Sequence, residues 1–328
     1  MENMEKNNTF IPIPERQRPS LSAASAFMLL ATAGLWLASL AVELWARAGS
    51  GEMSYIGVQA ALDAAYYLPF MVLPVALYMR GRDLFDGMRL APLPFGATLL
   101  LIPLAILSVY AADLISVGWE FVLEKLGLVY DVDIPLPKNT RELTLSILVM
   151  AAVPAVCEEL LLRGFVMSAW EGRGTKLAII VSAAMFALLH GNIFGLPVYF
   201  LLGLMIGWLV AALDSLYAGI VFHTIYNTAY LVIPYLLAPL AEEAEAAVET
   251  AGTGTMALSM IVDTAIVLGV IALLLRMIRV RSQMAGVQLA PSNPVPLTRG
   301  EKVLLVVLAI ALIVSNAVAA IGLVGGGA

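Results

Sequence analysis

Residues 194–213 read FGLPVYFLLGLMIGWLVAAL, twenty consecutive positions with no acidic or basic side chain. About 20 mostly apolar residues are what an α-helix needs to cross the hydrocarbon layer of a bilayer, so this stretch predicts a membrane helix. The same pattern recurs on both sides of it, at 22–46, 54–79, 93–118, 142–168, 176–191, 216–238, 256–278 and 302–324. Together these predict an all-α, polytopic transmembrane helix bundle of about nine spans, with eight also compatible. Composition agrees: 61% of the 328 residues are hydrophobic, 13% are charged and the mean hydropathy is +0.92, which excludes a water-soluble globular chain.

The segments between the spans set the organisation. Residues 1–20 are polar and carry Pro12, Pro14 and Pro19, the composition of a disordered tail. The 22–46 stretch is too long for a signal-peptide core, and no net positive charge precedes it, so it is expected to be a first membrane helix. Residues 21–140 then form an N-terminal group of helices, 141–238 a central unit, and 239–328 a C-terminal group with a basic linker at 276–302. Basic residues are retained on the cytoplasmic side during insertion. Placing the N-terminus in the cytoplasm puts 13 of the 18 Lys and Arg residues on that side, among them Arg80, Arg82, Arg89, Arg173, Lys176, Arg279 and Arg281. The acidic stretch with Glu242, Glu243, Glu245 and Glu249 then falls outside. That stretch supplies much of the net charge of -6, so the total says little about partners, and nothing supports nucleic-acid binding. The single cysteine, Cys157, has no partner for an internal disulfide.

Charges inside spans are the informative residues, because each costs about 2.5–3.5 kcal/mol at mid-bilayer on insertion scales. One cluster is dense: Cys157-Glu158-Glu159-Leu160-Leu161-Leu162-Arg163. Glu159 and Arg163 are four apart and share a helix face, so they can pair, whereas Glu158 points elsewhere. A bracing ion pair would explain Glu159 and Arg163 but not Glu158. The chain has two histidines, His190 and His223, both in apolar segments. Phe186 lies one turn before His190 and Asn227 one turn after His223. A membrane histidine often serves only as an interhelical hydrogen-bonding group, yet two of them beside a double carboxylate point to a site. At about 1.5 Å per residue, Glu158 and His190 lie at matching depths of roughly 20 Å, while His223 comes out near 14 Å. Tilt or an embedded loop is expected to absorb that mismatch.

The motifs E-E-x-x-x-R, F-x-x-x-H and H-x-x-x-N, in that order over residues 141–238, resemble the CPBP family of CAAX-processing and bacteriocin-processing (Abi) intramembrane peptidases. The resemblance implies that Glu158 and His190 activate a water for attack on a peptide carbonyl. His223 and Asn227 would donate to the developing oxyanion, and Glu159, Arg163 and Phe186 would support the geometry. It further implies a membrane-associated peptide or lipidated protein as substrate, contact with membrane lipid, and a bacterial plasma membrane. The family carries a metallopeptidase label, so zinc held by Glu158, His190 and His223 is one expectation. H-E-x-x-H is absent, and the water could be activated without any cofactor. Two other function classes remain open: a proton-coupled transporter using Asp63, Asp113 and Asp263, and a non-catalytic immunity or scaffold protein on the same fold. Gly203 and Gly207 have the small-xxx-small spacing of close helix packing, which says nothing about oligomeric state.

Overall fold

The computed structural model describes residues 18–48, 54–82, 87–128, 135–240, 253–287 and 296–325. Among the described residues it is helical throughout, with no strand. The helices are α1 (Leu21–Ala48), α2 (Tyr55–Met79), α3 (Phe95–Lys125), α4 (Thr140–Arg173), α5 (Thr175–Leu189), α6 (Leu196–Leu213), α7 (Leu216–Leu237), α8 (Thr253–Met284) and α9 (Arg299–Gly325). Seven of the described helices are long and apolar enough to cross a membrane. Their outward positions carry large exposed apolar side chains such as Leu37, Leu68, Phe95 and Ile261, so the chain is an integral membrane protein. The segment expected to span at 176–191 is the short α5. Its 15 residues rise only about 22 Å, less than the thickness of the hydrocarbon layer. The expected acidic stretch 242–249, nearly all of the polar tail and the middle of the basic linker lie outside the described residues.

Two of the spans that build the interior leave α geometry. Tyr67–Val72 in α2 and Ile147–Ala152 in α4 are π-helical, and each is followed within two residues by a proline, Pro74 and Pro154. A proline lacks the N–H and its ring crowds the carbonyl of residue i−4, so the preceding turn widens. A further π stretch, Leu160–Met167, follows directly after Glu159. The two glutamates therefore sit on one short α segment between wide turns, an arrangement that recurs at functional sites.

Packing around this segment is close. A Cβ on Gly203 would meet Ala183 Cα at 2.9 Å, so α6 lies backbone-to-backbone on α5, as the glycine spacing predicts. Ser182 Oγ donates to the Leu162 carbonyl at 3.1 Å, tying α5 to α4. One end of the bundle is fastened by Arg89, which pairs with Glu171 and, at 3.1 Å, with Asp214. There the Leu216 N–H donates to the Arg89 carbonyl at 2.7 Å and Ser215 Oγ to the Ala91 carbonyl at 2.6 Å. At the opposite end Trp119 Nε1 donates to the Ile193 carbonyl at 2.8 Å, holding the α5–α6 connection against α3.

Candidate active site

Arg163 is fully buried and its bonds organise the centre. Nη1 donates to Glu159 Oε1 at 2.6 Å and Nη2 to the Gly203 carbonyl at 3.2 Å. Its guanidinium lies 4.6 Å from the centre of the Phe186 ring, a cation–π contact. Glu159 Oε1 in turn faces His223 Nδ1 at 3.1 Å. A carboxylate oxygen only accepts, so Nδ1 carries the proton and the ring presents Nε2 to Glu158 Oε2, 4.0 Å away. A Cβ on Gly219 would stand 2.7 Å from Glu159 Oε2, so the glycine makes room for this carboxylate. The pairing expected from the i, i+4 spacing is present, and the same carboxylate also orients His223.

The depth mismatch of His223 is resolved by two local features. A π turn holds more residues for a similar pitch, so Leu160–Met167 rises less than α geometry would. The loop before α7 also sinks into the protein, with Ser215 fully buried.

Glu158 is 7% exposed. Its Oε1 accepts the Tyr67 hydroxyl at 2.8 Å, a charge-assisted bond that fixes the carboxylate. His190 ends α5, where Gly191 takes the left-handed φ of 61° that terminates the helix. Its Nδ1 lies 2.8 Å from the Phe186 carbonyl; a carbonyl accepts, so Nδ1 is protonated and Nε2 is left as the basic nitrogen. Phe186 packs edge-on against His190 at 4.6 Å and against His223 at 5.6 Å, and Tyr199 stacks on the other side of His190 at 4.1 Å. Glu158, His190, His223 and Asn227 all line one cavity of about 520 Å³, together with Tyr67, Tyr199 and Phe186.

Every residue singled out in the three motifs thus lies in, or directly supports, one cavity, and the central segment that carries them is the part of the chain with a known likeness. Residues 140–229 match the family described as Type II CAAX prenyl endopeptidase Rce1-like. In that segment the chain resembles the CPBP peptidases. No curated protein and no solved structure matches the chain. The matched segment runs from the first residue of α4 into α7 and leaves α1–α3, α8 and α9 outside it. Yet a bond that fixes Glu158 comes from Tyr67 of α2, outside the matched segment.

Among the described residues no three His, Cys, Asp or Glu side chains gather closely enough to hold a metal ion. Glu158, His190 and His223 nevertheless line the same cavity, and Phe186 contacts both histidine rings. Sequence reasoning passed over Tyr67, Tyr199 and Gly219. Their partners lie 91, 9 and 60 residues away, and no periodicity joins positions on different helices. Of the three acids that a transporter would use, Asp63 and Asp113 line the cavity, whereas Asp263 is exposed on α8.

Proposed function

We propose that this protein is an intramembrane endopeptidase that hydrolyses a peptide bond of a membrane-associated protein or peptide, of the CAAX or the bacteriocin and pheromone precursor type. The observation that carries the reading is the oriented set around Glu158, with Tyr67 on one oxygen, His223 facing the other, and His190 lining the same cavity. A water between Glu158 and His190 Nε2 loses a proton to this pair as its oxygen attacks the carbonyl carbon. The carbonyl oxygen becomes an oxyanion, and His223 Nε2–H and the Asn227 amide donate to it. For that donation His223 carries protons on both nitrogens, with Glu159 taking Nδ1–H. The four buried groups Glu158, Glu159, Arg163 and His223 are then neutral as a set, the charge arithmetic a low-dielectric site requires. Collapse of the tetrahedral intermediate returns the proton to the leaving amine and breaks the C–N bond.

The N-terminus lies in the cytoplasm in this reading, on the count of basic residues beside the spans. The test is cleavage of fluorogenic peptides, prenylated and unprenylated, by the purified protein in liposomes. Wild type should cleave a subset, and Glu158→Gln should lower the rate by about 10²–10⁴, the usual worth of a general base. A chelator should leave the rate unchanged; its abolition by the chelator and restoration by zinc would overturn the metal-free mechanism. Wild-type cleavage by Glu158→Gln would sink the assignment of Glu158, and no cleavage of any peptide would favour an immunity or scaffold protein.

A further inference from the structure

The cavity wall away from the histidines is acidic and has no counter-charge. Asp63 on α2 and Asp113 and Glu120 on α3 line it alongside Glu158, and no Lys or Arg does. Asp113, Ser116 and Glu120 follow one another at i, i+3 and i+7, so one face of α3 turns its carboxylates to the cavity. Asp63 is 6% exposed. Its Oδ1 accepts Gln59 Nε2 at 2.9 Å, while its Oδ2 has no hydrogen-bond partner. Beside it the Tyr66 hydroxyl, also buried and lining the cavity, has none either. Buried polar atoms are nearly always satisfied, so an unpaired carboxylate oxygen and an unpaired hydroxyl on the wall of a cavity mark where a donor from outside would sit.

We propose that Asp63, with Asp113 and Glu120, forms a subsite for a basic side chain, Lys or Arg, of the peptide whose scissile bond lies at Glu158. The proposal rests on the peptidase reading for the meaning of that bond, but the binding it describes does not. The carboxylates do not gather as ligands of one metal ion, which suits a long, cationic side chain passing between helices. Asp63 precedes Tyr67 by one turn, about 6 Å along α2, and Tyr67 holds Glu158. An extended chain advances about 3.3–3.6 Å per residue, so the basic residue stands one or two positions from the bond cleaved. Asp113 and Glu120 are exposed and raise the local concentration of a cationic segment before it enters.

The experiment uses the full chain in liposomes and a set of labelled peptides identical except for Lys, Gln or Glu at that position. Binding is read by anisotropy with the Glu158→Gln protein, which holds peptide without turnover, and kcat/KM is read with Glu158 intact. The Lys peptide should bind about 10- to 100-fold more tightly than the Gln peptide, the worth of one hydrogen-bonded charge, with the Glu peptide weakest. Asp63→Asn should bring the Lys-to-Gln ratio close to 1. Should that variant fail to fold, the exposed pair Asp113→Asn with Glu120→Gln should still reduce the ratio several-fold, and 0.5 M salt should do the same to the unchanged wall. Asp263→Asn, outside the cavity, should leave the ratio as it was. Equal binding of the Lys and Gln peptides overturns the subsite. Cleavage without Lys preference overturns it while leaving the peptidase reading intact, and Lys-selective binding without cleavage of any peptide does the reverse.

Discussion

Glu158 is held by a neighbour that motif spacing cannot reveal, and the consequence is measurable. With the Tyr67 hydroxyl gone, Oε1 is free to rotate away from the water that the proposed mechanism has this carboxylate deprotonate. Tyr67→Phe should therefore lower kcat by about tenfold, within the range for one hydrogen bond to a charged group, while the helix content by circular dichroism stays that of wild type. His190→Ala removes the other half of the proposed water-activating pair and should cost about 10²–10⁴ in rate. Asn227→Ala, which removes one proposed oxyanion donor, should cost about 10²–10³. An Asn227→Ala enzyme as fast as wild type would leave His223 as the oxyanion partner and Asn227 as wall. At the Glu159–Arg163 pair the prediction separates stability from catalysis. Arg163→Leu leaves a buried carboxylate uncompensated and should destabilise by about 3–5 kcal/mol. The double change Glu159→Leu with Arg163→Leu should recover most of that in thermal unfolding, yet remain slow, because His223 has lost the acceptor that orients it.

At the level of helices, the part of the site legible in the sequence is the part written on single elements. Glu159 with Arg163 and Phe186 with His190 are each one turn apart, and they meet as that spacing requires. What could not be counted is where helices stop being α. The π stretches before Pro74 and Pro154 have a visible cause, but the one after Glu159 has no proline, and it changes the rise that the depth estimate for Glu158 assumed. Close approach is the second hidden quantity. Gly219 reads as one glycine among many until Glu159 is found against it. Gly219→Ala should push that carboxylate off His223 and slow cleavage at least tenfold, with a smaller loss of stability than Arg163→Leu. Wild-type rates in Gly219→Ala would mean that Glu159 has room elsewhere.

Across the whole molecule, the cavity takes its lining from the first parts of α2 and α6, the middle of α4, the later parts of α3 and α5, the middle and later part of α7, and Leu35 of α1. Because successive helices alternate in direction, these lie from the middle of the bundle toward one end of it. Arg89, Arg173 and Lys176 lie at the other. In the orientation proposed from the basic residues, the cavity end is the one away from the cytoplasm. With Cys157 replaced by Ala, a membrane-impermeant maleimide should label Glu120→Cys in intact cells and Arg82→Cys only after permeabilisation; the opposite pattern would invert the chain. The cavity wall that meets a substrate from that side is supplied in good part by α2 and α3, which the family likeness does not cover, so selectivity can diverge while the α4–α7 chemistry stays fixed. The Glu159–Arg163 bond has a further meaning during synthesis. Both residues belong to the same turn of α4, so they can neutralise each other as soon as that turn forms, about 60 residues before His223 leaves the ribosome. The span can thus leave the translocon carrying its own counter-ion, and only later exchange part of that local partnership for the histidine that makes it useful.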